Sequence, residues 1–490
     1  MTADAGSTDP KLSRRDFMLS AAAAGAMGAG LAMAGRHAWK SRVRSRSADI
    51  VVIGAGNAGL SAAVTAAELG KTVAVIEKND RLGLNIHPDR GIFASSAGPD
   101  GSPVPGDSVE RHFEDTMRGG RFAADPELVR VFVREAAEAL PWLHRMGMEF
   151  MPEPIFSASG YPRCWSPAWA GYTEILYRRA RELGVEVVFG ERLTGFVERH
   201  GRIAGAMTES ATGARSRWSA RAGVILATGG FAANPELVSR YAPEYSGIPN
   251  DNQPGATGEA ARLAIEAGAA AVGMGEIQCL PRPPGNTQTQ GYLHLDTARF
   301  IYVGSDGKRF IAETSPRDEV TRAFLGKKDG AFFEIADNDT VLSYQPDIQK
   351  DLWKQIETGT AFKADTVREL ALQIGVPPSA LEKTVRDYNA GVARKQDALG
   401  KLPSALTHTI SKPPFWAARV VMMVHETLGG LRTSAKAEVL REDGTPIPGL
   451  WAAGAATGGI HGKNKLGGNG IASAIAFGRI AGRSASEAVP

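Results

Sequence analysis

The sequence predicts an α/β fold with buried parallel strands, and two segments at opposite ends of the chain carry this prediction. Near the N-terminus, an apolar strand at residues 48–53 runs into a glycine-rich turn and then into a helical stretch. Near the C-terminus, the apolar strand 450–453 leads through a glycine-rich loop into a helix of small residues at 470–481. Strands that alternate with helices in this way are typical of a parallel sheet covered by helices.

The composition indicates a globular protein of two domains. The chain has 490 residues, of which 43% are hydrophobic and 22% are charged, enough for a large core. A net charge of +3 is too small to suggest nucleic acid as a partner. The two cysteines, Cys164 and Cys279, form no CxxC, haem-attachment or zinc pattern. No metal site is therefore predicted.

Residues 1–34 read as a targeting segment. The pair Arg14-Arg15 precedes an apolar, Ala/Gly-rich run that ends at the small-residue site Ala32-Met33-Ala34. This arrangement resembles the bacterial Tat export signal, which implies a periplasmic protein. A buried helix is disfavoured by the glycines of the run, whereas retention of the segment as a membrane anchor stays open. The basic residues of 35–47 are interpreted as a solvated linker.

The N-terminal glycine turn predicts a dinucleotide site. The turn reads Gly54-Ala55-Gly56-Asn57-Ala58-Gly59, and it is followed by a helix at 60–69, a strand at 72–76 and the pair Glu77-Lys78. In such a Rossmann-like unit the first glycine permits the tight turn, the second admits the pyrophosphate, and the third allows helix and strand to pack closely. The acid is placed to bind the ribose hydroxyls. The fingerprint does not separate FAD from NAD.

Two further segments are predicted to contact the nucleotide. A strand in residues 223–231 ends in the turn Ala227-Thr228-Gly229-Gly230, after a hairpin of residues 193–199 and 203–208. The C-terminal helix begins near Gly470, where free N–H groups and the positive end of the helix dipole suit a ligand that gains negative charge, such as a reduced flavin. The predicted contacts of this segment are Gly454, Gly468, Asn469 and Ile471.

Taken together, these blocks resemble the flavoprotein subunits of the fumarate reductase and succinate dehydrogenase family, in its soluble, exported branch. The resemblance covers roughly residues 48–485 and includes the segment GKRFIAETSPRD at 307–318. It implies a Rossmann-like FAD-binding domain of the GR2 type, interrupted by an α+β capping domain. The FAD domain would comprise residues 48–274 and 425–490, and the cap residues 275–424.

The resemblance also implies a mechanism. Flavin N5 would pass a hydride to the β-carbon of an unsaturated carboxylate, and Arg317 would deliver a proton to the α-carbon. His425 and Lys465 match the cations that hold the carboxylate. The plain alternatives are a surface ion pair of Arg317 with Asp318 or Glu313, and a core role for His425. Asn85 stands where membrane-bound members attach FAD through a histidine, which implies non-covalent FAD.

Departures from the family pattern bear on the substrate. Lys465 replaces an arginine, Leu280 replaces the histidine that binds the second carboxylate, and Ala455 replaces a glutamate near the flavin. A leucine that faces a carboxylate would be costly. These departures imply a substrate other than fumarate: a monoacid, an aryl acrylate or a larger unsaturated carbonyl compound.

Three functions stay open from the sequence. The first is reduction of an activated C=C bond. The second is the reverse reaction, by a dehydrogenase or oxidase that desaturates an acid or ketone. The third is flavin binding without turnover. Because the chain has no haem motif, its electrons must be exchanged with a separate cytochrome, a quinol or oxygen.

Overall fold

Two sheets organise the computed structural model, which describes residues 43–82, 91–156, 161–285, 293, 295–327 and 332–489. The strands, in chain order, are β1 (Arg44–Ile53), β2 (Val73–Glu77), β3 (Phe93–Ala94), β4 (Cys164–Trp165), β5 (Glu186–Phe189), β6 (Glu191–Arg199), β7 (Arg202–Ser210), β8 (Arg215–Leu226), β9 (Ala271–Val272), β10 (Ile277–Arg282), β11 (Ile301–Gly304), β12 (Phe332–Ala336), β13 (Ala361–Ala364), β14 (Phe415–Thr427), β15 (Gly430–Leu431), β16 (Glu438–Leu440) and β17 (Pro446–Ala452).

The α-helices, in chain order, are α1 (Asn57–Glu68), α2 (Val109–Gly119), α3 (Pro126–Arg145), α4 (Tyr172–Glu182), α5 (Pro235–Tyr241), α6 (Glu259–Glu266), α7 (Arg317–Leu325), α8 (Asn338–Leu342), α9 (Pro346–Glu357), α10 (Val367–Gln373), α11 (Pro378–Arg394) and α12 (Asn469–Glu487). Short 3-10 helices span Pro243–Tyr245, Pro403–Ala405 and Gly454–Ala456. Within these described parts, no helix combines the length and apolar character needed to cross a membrane.

The first sheet joins both ends of the chain. Its strand order is β16-β17-β8-β1-β2-β5, and the run from β17 to β5 is parallel. The predicted hairpin is confirmed as β6 and β7, which extend this sheet from β8. Ile50 and Val52 belong to the core cluster that includes residues of α1, α3 and α12, whereas Val51 and Ile53 belong to a second cluster with residues of β7 and β8. Both sides of β1 are thus covered, as its unbroken apolar run predicts.

The predicted linker is wrong at its C-terminal end. β1 begins at Arg44 rather than at residue 48, because residues 44–48 pair with residues 216–220 of β8. Arg46 also lies 4.9 Å from the Trp218 ring and donates to Glu186 at 2.6 Å. Backbone pairing therefore orders a charged segment that lacks the apolar pattern of a buried strand.

The second sheet is antiparallel and is formed by residues between the two portions of the first. Its order is β10-β14-β12-β11, with β13 also paired to β14. Along β14, Trp416 and Ala418 face one core cluster and Ala417 faces another. The predicted fold class, a Rossmann-like α/β domain interrupted by an α+β unit, is confirmed. The exact boundaries of the cap stay a prediction.

Close packing of α12 on α1 brings the two ends of the chain together. A Cβ at Gly478 would lie 2.3 Å from Ala58 O, and one at Gly482 would lie 2.5 Å from Ala62 O. Only glycine permits this approach. The N-termini of α1 and α12 therefore lie near each other.

Candidate active site

The glycine turn after β1 has the geometry that the fingerprint predicts. Gly54 has a φ of +105°, and a Cβ there would lie 2.4 Å from Ala227 O. A Cβ at Gly59 would lie 1.9 Å from Gly54 O. Larger residues at either position would push the turn, α1 and the end of β8 apart. Gly59 therefore shapes the turn from behind and does not itself line the cavity described next.

One large cavity receives the N-termini of two helices. Gly56 caps α1 and Gly468 caps α12, neither cap supplies a side-chain hydrogen bond, and both glycines line the cavity. Uncapped helix starts present N–H groups and positive dipole ends, which suit phosphates and other anions. The cavity encloses about 1700 Å³ including its open mouth.

Most predicted cofactor contacts line this cavity. They are Gly54, Gly56, Asn57, Ala58, Glu77, Lys78, Ala227, Thr228, Gly229, Gly454, Gly468 and Ile471. Ala455, the departure from the family glutamate, lines it as well. Asn85 lies outside the described residues. Gly230 does not line the cavity, because the space of its missing side chain is taken by Thr427 Oγ1, 2.0 Å from where a Cβ would stand.

The prediction for Asn469 needs correction. Its side chain is buried and turned to α2, where Oδ1 lies 2.9 Å from His112 Nε2 and Nδ2 donates to Thr116 Oγ1 at 3.0 Å. Asn469 therefore anchors the start of α12, and it does not line the cavity with its neighbours Gly468 and Gly470. Spacing along the loop cannot reveal this, because the partners are more than 350 residues away.

The acidic end of β2 braces the glycine turn. Glu77 is buried, accepts from the Ala55 N–H at 2.9 Å and accepts from the Asn79 side chain at 2.7 Å. Lys78 donates to Glu259 and to Thr257, each at 3.0 Å. Glu77 and Lys78 both line the cavity. The Glu77 carboxylate, which is predicted to bind the ribose, therefore also holds the backbone of the turn that is predicted to bind the pyrophosphate.

These residues fit a flavin dinucleotide. The cavity wall at α12 consists of glycine, alanine and isoleucine, so a flat ring can approach the backbone closely. Thr228, which also lines the cavity, has a buried Oγ1, and among the described residues no group bonds to it. A buried hydroxyl of this kind indicates a partner that the protein does not itself supply.

The three predicted catalytic residues meet at the other end of the same cavity. Arg317, His425 and Lys465 all line it, although they come from α7, from β14 and from the loop before α12. Arg317 Nη1 donates to Gln278 Oε1 at 2.8 Å, and Gln278 Nε2 donates to Lys465 O at 2.8 Å. Gln278 thus links the predicted proton donor to the C-terminal loop.

Asp318 and Glu313, the two acids considered as ion-pair partners of Arg317, both pair with other cations. Asp318 pairs with Arg121 at 2.7 Å and with Arg322 at 3.0 Å. Glu313 pairs with Arg309 at 2.7 Å. Both carboxylates are thus neutralised by other cations, while Arg317 lies on the cavity wall.

His425 is held in a buried charge network. Its Nδ1 lies 2.9 Å from Asp251 Oδ2, and Arg282 Nε donates to the same oxygen at 2.6 Å. Burial lowers the pKa of His425 to about 4, although Asp251 acts to raise it. For Asp251, burial opposes ionisation, but His425 and Arg282 outweigh it and the pKa is lowered. Burial thus favours the neutral form of His425, whereas the resemblance implies a cation at this position.

Lys465 is also less of a free cation than predicted. Its ammonium contacts the carboxylate of Glu426, and only 5% of its side chain is exposed. Burial and the nearby charge of Arg317 lower the pKa of Lys465. A carboxylate at contact distance acts in the opposite direction, so Lys465 and Glu426 behave as one buried pair.

The sequence interpretation missed Arg282, Asp251, Gln278 and Glu426. Arg282 could have been found, because it follows Leu280 by two residues on β10 and alternate residues of a strand face the same side. Both line the cavity. Asp251 shows no local pattern, since its partners lie 31 and 174 residues away. Leu280 and Leu295 give this end of the cavity an apolar wall.

Sequence comparison matches residues 49–471 to the FAD binding domain family. The chain is 32% identical over 449 residues to a cytochrome-type fumarate reductase of Shewanella frigidimarina, covering 90% of this chain and 77% of the relative. It is 30% identical over 501 residues to the acrylate reductase flavoprotein subunit of Shewanella woodyi, covering 97% and 99%. An NADH:acrylate oxidoreductase of Vibrio harveyi is 30% identical over 523 residues, but the chain spans only 52% of its length.

Solved structures show the same architecture. The open conformation of a flavocytochrome c3 fumarate reductase superposes with a TM-score of 0.70 at 29% identity, covering 91% of this chain and 79% of that one. A 3-ketosteroid-Δ4-(5α)-dehydrogenase from Rhodococcus jostii RHA1 gives a TM-score of 0.66 at 25% identity, covering 92% and 99%. The chain therefore belongs to the family of FAD-dependent oxidoreductases that includes the fumarate reductases.

Proposed function

We propose that the chain reduces an activated C=C bond of an unsaturated acid or carbonyl compound other than fumarate. The observation that carries this proposal is the convergence of Arg317, Arg282 and Lys465 with Leu280 on the cavity that the glycine-capped helices also line. When bound there, FAD supplies the hydride that the reaction needs. The residues of the chain bind the substrate, orient it and provide the proton.

Arg317 is the proton donor in this proposal. Guanidinium holds its proton at neutral pH, so transfer depends on position and on rapid return of a proton from solvent. The hydrogen bond to Gln278 fixes one edge of the guanidinium. The proton would pass from Arg317 to the α-carbon of the substrate. This carbon becomes basic when the neighbouring β-carbon is reduced.

The charges at this end favour a substrate with one anionic group. Among the described residues of this network, the three cations Arg282, Arg317 and Lys465 face the two carboxylates Asp251 and Glu426. The basic side chains that line this end can therefore hold a substrate carboxylate. Fumarate would bring two carboxylates, and its second one would meet Leu280 without a hydrogen-bond donor from that side chain.

An anaerobic reoxidation assay tests the proposal. Reduced holoenzyme is mixed with acrylate, a 3-aryl acrylate, an enone or fumarate, and the return of the oxidised flavin spectrum is followed. A monoacid or enone should reoxidise it faster than fumarate. Arg317→Ala should lower the rate by about 100-fold or more, while Arg322→Ala, on the exposed side of the same helix, should not. Fastest reoxidation by fumarate, or equal rates in both variants, would refute the assignment.

The reverse reaction is the second candidate. The likeness to a ketosteroid dehydrogenase structure and the leucine wall of the cavity favour desaturation of an acid or ketone. Bleaching of the oxidised flavin by a saturated substrate, with no reoxidation by unsaturated ones, would identify that direction. Flavin binding without turnover is the third candidate, and the gathering of Arg317 and Arg282 in the cavity argues against it.

Three finer features belong to the same proposal. FAD is bound non-covalently, as Asn85 at the attachment position implies, so acid precipitation should release all flavin into solution.

Electrons come from a separate protein, from a quinol or from oxygen. The name of the Shewanella woodyi relative, a flavoprotein subunit, supports a partner protein. The protein is exported through a Tat signal, and N-terminal sequencing of the mature protein should begin near Gly35.

A further inference from the structure

A second cavity adjoins the substrate end of the first. On one side it is bounded by the residues that flank β4, and on the other by the residues just before α9. It encloses about 1390 Å³ including its open mouth. Leu295 lines both cavities. Leu295 is thus the point at which a ligand with its reactive end near Arg317 would reach this second space.

Part of the wall of the second cavity is apolar and aromatic. This part includes Ile155, Phe156, Tyr161 and Tyr344. Tyr161 donates its hydroxyl to Pro105 O at 2.7 Å, and Tyr344 donates to Leu293 O at 2.6 Å. Because both phenols are already engaged with backbone, the rings present mainly their carbon surfaces to the cavity. Such walls suit an aromatic group.

Gln345 supplies a buried amide to the wall of the second cavity. Gln345 is 2% exposed and lines the second cavity. Among the described residues, no atom accepts a hydrogen bond from its Nε2. A buried amide without an acceptor is costly, so an acceptor oxygen on a ligand would be stabilising there.

Two of the charged residues in the wall, Arg299 and Asp296, pair with each other. Arg299 Nε lies 3.3 Å from Asp296 Oδ2, and Asp296 Oδ1 accepts from the Ala298 N–H at 2.9 Å. Burial raises the pKa of Asp296, and the charge of Arg299 acts in the opposite direction. Glu153, which is exposed, also lines the cavity, so the lining offers no excess cation to a ligand, in contrast to the end near Arg317.

We propose that the second cavity binds the distal part of the substrate, an uncharged aromatic group that carries an acceptor oxygen. This inference rests on the proposed function and narrows it to aryl-substituted unsaturated acids. Gln345 binds the acceptor oxygen, the tyrosine and phenylalanine rings hold the aryl group, and Leu295 packs against the link between ring and double bond.

A binding experiment on oxidised holoenzyme tests this without requiring turnover. Dissociation constants of propanoate, 3-phenylpropanoate and 3-(4-methoxyphenyl)propanoate are measured from the perturbation of the flavin absorption spectrum. We expect the methoxy compound to bind most tightly. Gln345→Leu should weaken its binding about fivefold, the loss of one hydrogen bond, with a much smaller effect on the other two acids. Gln373→Leu, at an exposed glutamine of α10, is the matched control and should change none.

A second variant guards against misfolding of the first. Ser404→Trp, at an exposed position on the cavity mouth, should weaken both aryl acids relative to propanoate. Equal binding of the three acids to the unaltered protein, or equal effects of either variant on all three, would overturn the second cavity as the aryl site. Failure of every unsaturated acid to reoxidise the reduced flavin would instead refute the proposed function, and the binding series would still stand.

Discussion

The Asp251 carboxylate orients His425 in the cavity, with Oδ2 2.9 Å from His425 Nδ1. The same oxygen accepts from Arg282 Nε at 2.6 Å. Asn252 fixes the loop that carries this carboxylate, since its Nδ2 donates to His425 O at 2.9 Å. A single buried acid thus positions two side chains from different strands, and neither strand alone determines their geometry.

Replacement of this acid should affect both stability and binding. Asp251→Asn leaves Arg282 buried without its counter-charge and removes the constraint on the His425 ring, so we expect a loss of about 3–5 kcal/mol in unfolding free energy. The KM for the substrate should rise more than kcat falls, because Asp251 acts by positioning. Denaturant titration and steady-state kinetics measure the two effects. Asp387→Asn, in an exposed pair with Lys383, is the control and should cost less than about 1 kcal/mol; similar losses in both variants would contradict the role of Asp251.

Buried histidines should make the fold sensitive to acid. Burial lowers the pKa of His425 to about 4 and those of His112 and His461 to about 3. The unfolded chain titrates near 6.5, so below that pH it binds protons that the folded chain does not. The stabilisation is therefore complete above pH 6.5 and decreases as the pH falls towards 4. Urea unfolding at a series of pH values should show this decline, and in His461→Gln its slope should be shallower by about one proton. An unchanged slope would mean that His461 is charged in the folded protein.

Lys465 and Glu426 should contribute as a pair. Lys465→Met leaves a carboxylate with 14% side-chain exposure, and Glu426→Gln leaves a buried ammonium, so each single change should be strongly destabilising. The double variant removes both charges and should lose less stability than the sum of the two, by about 2 kcal/mol or more. A double-mutant cycle from urea unfolding of the holoenzyme measures this coupling. Additive losses would show that the two groups do not stabilise each other.

The glycine turn could be predicted from the sequence because its geometry is local. The φ of +105° at Gly54 and the close approach at Gly59 are requirements of a strand–turn–helix unit, and that unit is contiguous in the chain. The placement of Arg317 and Lys465 in one cavity followed only from the family resemblance. Their separation along the chain offers no periodic pattern that would join them.

The features that could not be predicted depend on long-range contacts. Asp251 belongs to a loop without a motif, and its effect on His425 exists only once β14 is folded beside that loop. The lowered pKa of His425 follows from its burial, which a sequence does not display. For Asn469 the motif predicted a contact with the cofactor. In the structure its side chain instead bonds to His112 and Thr116 of α2.

Substitution of two glycines with positive φ should distinguish a loss of stability from a loss of cofactor binding. Gly54 has a φ of +105° and Gly70 a φ of +76°, but only Gly54 lines the cavity and would place a Cβ 2.4 Å from a backbone oxygen, while a Cβ at Gly70 would meet nothing within 4 Å. Gly70→Ala should cost about 1 kcal/mol from backbone strain and retain a full complement of FAD. Gly54→Ala should displace the turn from Ala227 and lose most of its flavin. The ratio of flavin absorbance to protein after desalting measures the difference, with the unfolding midpoint as a second readout. Equal flavin content in the two variants would show that the turn tolerates a side chain and that the nucleotide does not depend on its close approach to the backbone.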